Sequence, residues 1–150
     1  MSNRIGFIIV TYKHIEEAGM KKQASGKFTI KSWDEKPYEE FEGGGKSTRA
    51  SVTQKFEGGI EGDGTVEYLM AYVGDGTASF VGLIRVVGQI DGVKGSFILQ
   101  CNGKFEQGVA KAEWFIVHGS GTDQLRGLRG EGGYTATHET VALNLEYDFE

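Results

Sequence analysis

The sequence predicts an all-β fold, a closed eight-stranded antiparallel up-and-down barrel. Three observations lead there. Glycine supplies 24 of the 150 residues against a single proline, and the glycines are dispersed in pairs and dipeptides, as turns in a β chain require. Strand-like runs follow one another with turn signals between them. No stretch carries the 3.6-residue apolar period of a helix of any length.

In chain order the strands are expected at 24–33, 48–56, 65–72, 77–89, 93–105, 109–118, 131–137 and 140–149. The turns are expected at Gly74-Asp75-Gly76, Asp91-Gly92 and Glu106-Gln107-Gly108. Asp-Gly between two alternating runs is the strongest short hairpin signal. The acidic, glycine-rich stretch from Asp34 to Lys46 reads as a mobile loop over one barrel mouth, and residues 119–129 as a segment with one helical turn starting at Thr122 or Asp123. Eight strands joined by short turns make a meander, and closing it removes the exposed edges.

The chain suits one domain, residues 20–150. Residues 1–19 read as a leader or a non-native start. The apolar run Ile5–Val10 is short, and charged residues stand where a cleavage site would need small ones before Met20. Glu16-Glu17 codons just upstream of Met20 can also read as a ribosome-binding site. The net charge is -5 and no basic stripe exists, which argues against nucleic acid. No segment approaches a membrane span. A lone cysteine, Cys101, excludes an internal disulfide framework and points to the cytoplasm.

Hairpin pairing assigns faces, because paired residues share a side of the sheet. A two-residue turn at Asp91-Gly92 pairs Val86 with Phe97, Ile84 with Leu99 and Gly82 with Cys101. A turn at Glu106-Gln107 pairs Leu99 with Trp114, Phe97 with Ile116 and Cys101 with Ala112. A turn at Asp75-Gly76 pairs Ile84 with Glu67 and Gly82 with Leu69. The expected interior therefore holds Leu69, Phe80, Ile84, Phe97, Leu99, Cys101, Trp114 and His118, with Glu67 in an apolar row. In the last strand Val141, Leu143, Leu145, Tyr147 and Phe149 alternate inward. Tyr68, Met70, Tyr72, Leu83 and Ile98, with Val81 and Val87, then face outward. So apolar an outer face predicts a homo-oligomer that covers it.

Glu67 is the one proton carrier this arrangement offers, since a carboxylate in an apolar interior has a raised pKa. The alternative is a structural Glu67 neutralised by a tyrosine or by an arginine such as Arg49. Cys101 pairs far from His118, so no nucleophile–base couple forms and an inert thiol is expected. His14, His118 and His138 lack metal-ligand spacing, and neither a metal nor a cofactor is expected. Gly43-Gly44-Gly45-Lys46-Ser47 lacks the spacing and the following helix of a phosphate loop. Arg126 and Arg129 are expected to pair with carboxylates such as Asp123 and Glu131 rather than hold an anion. Trp114 is either a stacking wall for a ligand or a core filler.

The runs Ser32–Tyr38 (SWDEKPY), Thr48–Val52 (TRASV), Gly62–Tyr72 (GDGTVEYLMAY), Ala78–Leu83 (ASFVGL), Gly95–Gln100 (GSFILQ) and Gly119–Gly132 (GSGTDQLRGLRGEG) resemble a bacterial domain family of unknown function. Its fold is grouped with the allene oxide cyclase barrels. The resemblance spans about Lys22 to Glu150 and leaves residues 1–19 outside. It implies relatives that hold a reactive small molecule in a mostly apolar barrel cavity. The family pattern that the resemblance implies often has a Glu where this chain has Ile84 and a His where it has Cys101, so acid–base chemistry resting on those two groups is not expected here.

The expected function is binding of a small apolar or amphipathic molecule inside a cytoplasmic homo-oligomeric barrel. Catalysis would then be the templating of an isomerisation or cyclisation. The alternative is a non-catalytic, fully packed barrel with a structural or interaction role.

Overall fold

A computed structural model describes residues 21–150. The expected leader, residues 1–19, and His14 lie outside the described residues. Eight strands run in sequence order: β1 Lys22–Glu40, β2 Lys46–Gly58, β3 Ile60–Tyr72, β4 Ala78–Ile90, β5 Val93–Glu106, β6 Val109–Ile116, β7 Leu128–Ala136 and β8 Val141–Phe149. Each is antiparallel to its neighbour, and β1 pairs with β8, so the sheet closes into a ring. A short 3-10 turn, Asp123–Leu125, lies where a helical turn was expected. Among the described residues no helix is long and apolar enough to cross a membrane.

The strands form because inward and outward positions alternate along them. In β2 the buried residues are Thr48, Ala50, Val52, Gln54 and Phe56, and in β3 they include Val66, Tyr68 and Met70. The aromatic side chains of the interior need room, and glycines on the adjacent strand supply it. A Cβ at Gly64 would come within 2.7 Å of the Phe56 ring, one at Gly82 within 2.6 Å of the Tyr68 ring, and one at Gly103 within 2.7 Å of the Phe80 ring. Each glycine is thus a socket for a neighbouring ring, which is how large and small residues alternate in a narrow interior.

The two ends of the ring differ. At one end the segment between β6 and β7 folds back onto β5: Ser96 and Thr122 exchange backbone and side-chain hydrogen bonds, and Ser120 Oγ accepts from Ile98 N. This buries Leu125 completely. At the other end β1 runs on. Its ladder with β8 covers Lys22 to Gly26, whereas its ladder with β2 continues to Glu40, interrupted by irregularities at Ile30/Ser32 and Pro37/Glu39. Among the described residues, the edge of β1 beyond Gly26 has no strand beside it on the β8 side. The stretch expected as a mobile loop, Asp34–Lys46, is therefore mostly strand, with its turn confined to residues 41–45. Its charges, Glu35 apart, lie on exposed positions and do not prevent pairing with β2.

Two registers differ from the sequence expectation. The β3–β4 connection is a five-residue loop, Val73 to Thr77, held by Asp75 Oδ1 accepting from the Thr77 amide and hydroxyl. Tyr72 thus pairs with Ala78 and Glu67 with Leu83, one step from the expected partner. A one-residue slip exchanges the faces of β3. The β5–β6 turn is Gln107-Gly108, both at positive φ, so Leu99 pairs with Ile116 and Cys101 with Trp114. That shift is by two partners, and the inward set of β6 survives.

Gly82→Ala is expected to destabilise the fold by roughly 1–3 kcal/mol through overpacking. The new Cβ would also lie 2.7 Å from the Glu67 carbonyl oxygen, so the strand as well as the ring must move. Denaturant titration monitored by tryptophan fluorescence checks this.

Candidate functional site

The slip in β3 moves the expected proton carrier to the outside. Glu67 is exposed, and its Oε1 accepts from Arg49 Nε at 2.9 Å and from Ser51 Oγ at 3.0 Å. The Arg49 and Ser51 hydrogen bonds hold its carboxyl below the usual range, the opposite of the raised value expected. The Arg49 alternative describes it, and Glu67 is not an interior acid. Leu69 is likewise exposed rather than interior. His118 lies beyond the end of β6, exposed, with Nδ1 3.8 Å from the Glu150 carboxylate. Phe80, Ile84, Phe97, Leu99, Cys101 and Trp114 are buried inside the ring.

The same slip brings in residues expected outside. Tyr68 and Met70 are buried and Tyr72 is partly buried, while Leu83 stays outward and Ile98 is half-buried. The slip hides Tyr68 from sequence reasoning, whereas Gln54 on β2 and Tyr134 on β7 lie on strands to which the three hairpin turns assign no face. Val52-Thr53-Gln54-Lys55-Phe56 does alternate, and Gln54 shares the parity of Val52 and Phe56, which was the available signal.

Aromatic rings line the interior. Trp33, half-exposed beside the open edge of β1, stands 5.9 Å from the Tyr68 ring, and Tyr68 is 5.3 Å from Phe80. Tyr134 lies 5.0 Å from Phe28 and 5.2 Å from Trp114. The Tyr68 and Tyr134 hydroxyls meet at 3.3 Å. Burial pushes Tyr68 up to about 12 and Tyr134 further, so both phenols are neutral. Burial also pushes the Cys101 thiol up to about 11, leaving it protonated and a poor nucleophile.

Gln54 is the anomaly of this interior. It is 2% exposed, and neither its Nε2 nor its Oε1 has a hydrogen-bond partner among the described residues. It lies close enough to Tyr68 to weakly favour the phenolate, yet makes no hydrogen bond of sound geometry. A buried amide left unpartnered costs about 1–3 kcal/mol.

Nearer the open end a second polar group faces inward. Glu35 Oε2 accepts from Tyr72 at 2.6 Å and from buried Thr48 at 2.7 Å, and Oε1 accepts from Trp33 Nε1 at 2.9 Å. The Lys46 ammonium sits 5.2 Å from the Tyr72 ring centre. Burial alone would raise the Glu35 pKa, but the three hydrogen bonds and the Lys46 charge outweigh it and the net direction is down. Tyr72 is pushed up to about 12, by burial first and by its bond to Glu35 second. This carboxylate is ionised and saturated with donors, which suits it to fixing Trp33 rather than to accepting a proton.

Other features are structural. Arg129 pairs with the Asp148 carboxylate at 2.6 Å. Gly43 and Gly44 serve a tight turn at positive φ. Among the described residues no group of three or more His, Cys, Asp or Glu could hold a metal ion. A groove of about 930 Å³ lies across β5–β8, walled by exposed Lys104, Glu106, Lys111 and Glu113. Those are ordinary solvated positions of a sheet face.

Because Glu35 has a lowered folded pKa, its contribution is complete above the unfolded carboxyl value of about 4.3 and is lost as pH falls through the lower folded value. Glu35→Gln is expected to cost about 1 kcal/mol at neutral pH, a figure already reduced for solvent screening. The gap to wild type should close on acidification below about pH 4. Urea titrations across that range check both statements.

Comparison with known proteins agrees with this architecture. The family model described as "Protein of unknown function (DUF3224)" matches residues 24–147. No curated protein matches the chain. The crystal structure of a protein with unknown function from the DUF3224 family of Shewanella oneidensis MR-1 is similar at a TM-score of 0.76 and 27% identity, covering 87% of this chain and 98% of that one. With the match running from the first strand to the last, the chain belongs to the DUF3224 family.

Proposed function

We propose that this protein holds a small, mainly apolar molecule inside the ring, in the manner of the allene oxide cyclase-like barrels its sequence resembles. The supporting observation is the continuous aromatic lining that leads from half-exposed Trp33 at the open edge of β1 past Tyr68 to Phe80. Rings of this kind offer area and stacking with little entropy to lose. Neutral phenols and a protonated thiol provide no nucleophile and no base at neutral pH, so any catalysis is conformational templating of an isomerisation or cyclisation. The reduced, buried Cys101 fits a cytoplasmic setting.

A homo-oligomer belongs to the same reading, with a revised surface. Leu69, Val81 and Leu83 on adjacent β3 and β4 are each about half exposed and line a groove of about 480 Å³ edged by Arg49, Glu67 and Gln100. Apolar side chains with a polar rim are what a subunit contact needs. The competing reading, a packed non-catalytic barrel, is favoured by the glycine sockets that let rings fill the interior.

Two measurements test these statements. Nile red fluorescence should rise on binding at 1:1 stoichiometry and fall several-fold for Trp33→Ala; an unresponsive dye and an interior without room for a ligand at high resolution would establish the packed barrel instead. Sedimentation should show an oligomer at micromolar concentration that Leu83→Lys dissociates, and a monomeric wild type would remove the interface.

A further inference from the structure

One face of β5–β8 carries a depression that the interior-binding reading does not use. Strand pairing lays two rows of residues side by side across it. One row runs Gln100, Phe115, Glu131, Glu146 and Gln23; the other runs Asn102, Glu113, Gly133 and Asn144. In the second row Asn102, Glu113 and Asn144 are exposed and Gly133 is buried between them. Glu113 and Asn144 therefore stand on either side of a gap floored by backbone, and neighbouring Gly132 adds no side chain to it. A trough of about 540 Å³ results, edged by Gln23, Gln100, Asn102, Phe115, Glu131 and Asn144. It shares Asn102, Glu113, Gly132 and Asn144 with the groove of about 930 Å³ described above, so the two are continuous. From Gln100 to Glu106 the joined channel follows β5 for roughly 20 Å. Taken singly these side chains are ordinary for a solvated sheet face; ranged along a glycine floor they make a binding channel.

We propose that this channel binds a neutral oligosaccharide. The lining selects that chemistry. The amides of Gln100, Asn102 and Asn144 donate and accept, and the carboxylates of Glu113, Glu131 and Glu146 accept. A sugar hydroxyl does both, so vicinal hydroxyls bridge neighbouring members of a row. Phe115, 45% exposed, offers its ring to the C–H face of a pyranose. Glu131 and Glu146 face each other across β7 and β8, and like charges so placed cost free energy that hydroxyl donors between them relieve. Gln23 Nε2 already donates to Glu146 Oε2 at 3.0 Å, a neutral donor in that place. Charge decides against ionic ligands. Carboxylates hold the end at Glu131 and Glu146, whereas Lys104 and Lys111 face each other toward the other end. A polyanion and a polycation each meet a repelling half. An extended peptide would need an unpaired strand edge or apolar side-chain pockets. Along the channel β5 to β8 are each paired on both sides. The channel is distinct from the ring interior, and the assignment does not rest on the reading above.

Cellohexaose, maltohexaose and chitohexaose, titrated by NMR into the isotope-labelled full chain, test this. The reporters are the backbone amides of Gly132 and Gly133 and the Trp114 indole N–H, which donates to the Asn144 carbonyl at the channel wall. At least one of the three sugars should move these signals with a Kd of about 1 mM or tighter. Phe115→Ala should weaken that binding roughly fivefold, and Phe115→Tyr, which keeps the ring, should retain it. Spermine and hexaglutamate should bind more weakly than the sugar. Failure of all three sugars to move the reporters at about 10 mM overturns the proposal, and that measurement needs no variant to fold. Tighter binding of spermine or hexaglutamate than of any sugar overturns it as well, as does undiminished sugar binding by Phe115→Ala.

Discussion

The short ladder between Lys22–Gly26 of β1 and Leu143–Tyr147 of β8 is the constraint on which the molecule depends. It turns a meander into a ring, and only a ring gives the chain an inside. Every buried group discussed above, from Leu145 to Tyr68, owes its surroundings to that closure. The ladder is brief compared with the pairing of β1 to β2. Its brevity leaves β1 beyond Gly26 without a β8 partner among the described residues, while the other end is capped by Leu125 and the Ser96–Thr122 hydrogen bonds. Among the described residues the ring is therefore asymmetric, with its two ends finished differently.

Strand number, order and antiparallel pairing were legible in the chain because turn chemistry is local. Asp91-Gly92 adopts positive φ at both residues, as the two-residue hairpin demands, and the β4–β5 register follows from it residue by residue. Between β3 and β4 two signals compete. Asp75-Gly76 looks like the same turn, yet Asp75 spends its carboxylate on Thr77 and the loop takes five residues. Nothing in the local sequence distinguishes the two outcomes. The burial of Tyr68 against Gly82 decides it, and that is a contact between strands. Loop length is therefore set by packing, and the face of β3 with it. The β5–β6 turn was misplaced without consequence, because a shift by two preserves parity.

The candidate site was legible in its walls and not in its chemistry. Phe80, Ile84, Phe97, Leu99, Cys101 and Trp114 are inside, as alternation requires. The two carboxylates show why the reactive groups were not. Glu67 is charged because it is outside, tied to Arg49; Glu35 is charged although it faces inward, because three donors converge on it from β1, β2 and β3. Such convergence exists in the folded ring alone and leaves no trace in spacing. The family resemblance implies a Glu and a His at the positions of Ile84 and Cys101, which pair with Leu99 and Gly82 across β4 and β5. Both positions are buried in the same interior as Tyr68.

The margin of β1 beyond Gly26, unpaired on the β8 side among the described residues, bears on behaviour at high concentration. Unmatched amides and carbonyls along a strand invite another chain to continue the sheet, and repeated addition builds fibrils. Here Pro37 lacks the amide that such growth would use, kinks at Ile30/Ser32 and Pro37/Glu39 break the straight line, and Lys27, Lys31 and Lys36 punctuate it. That margin is thereby made a poor template for polymerisation.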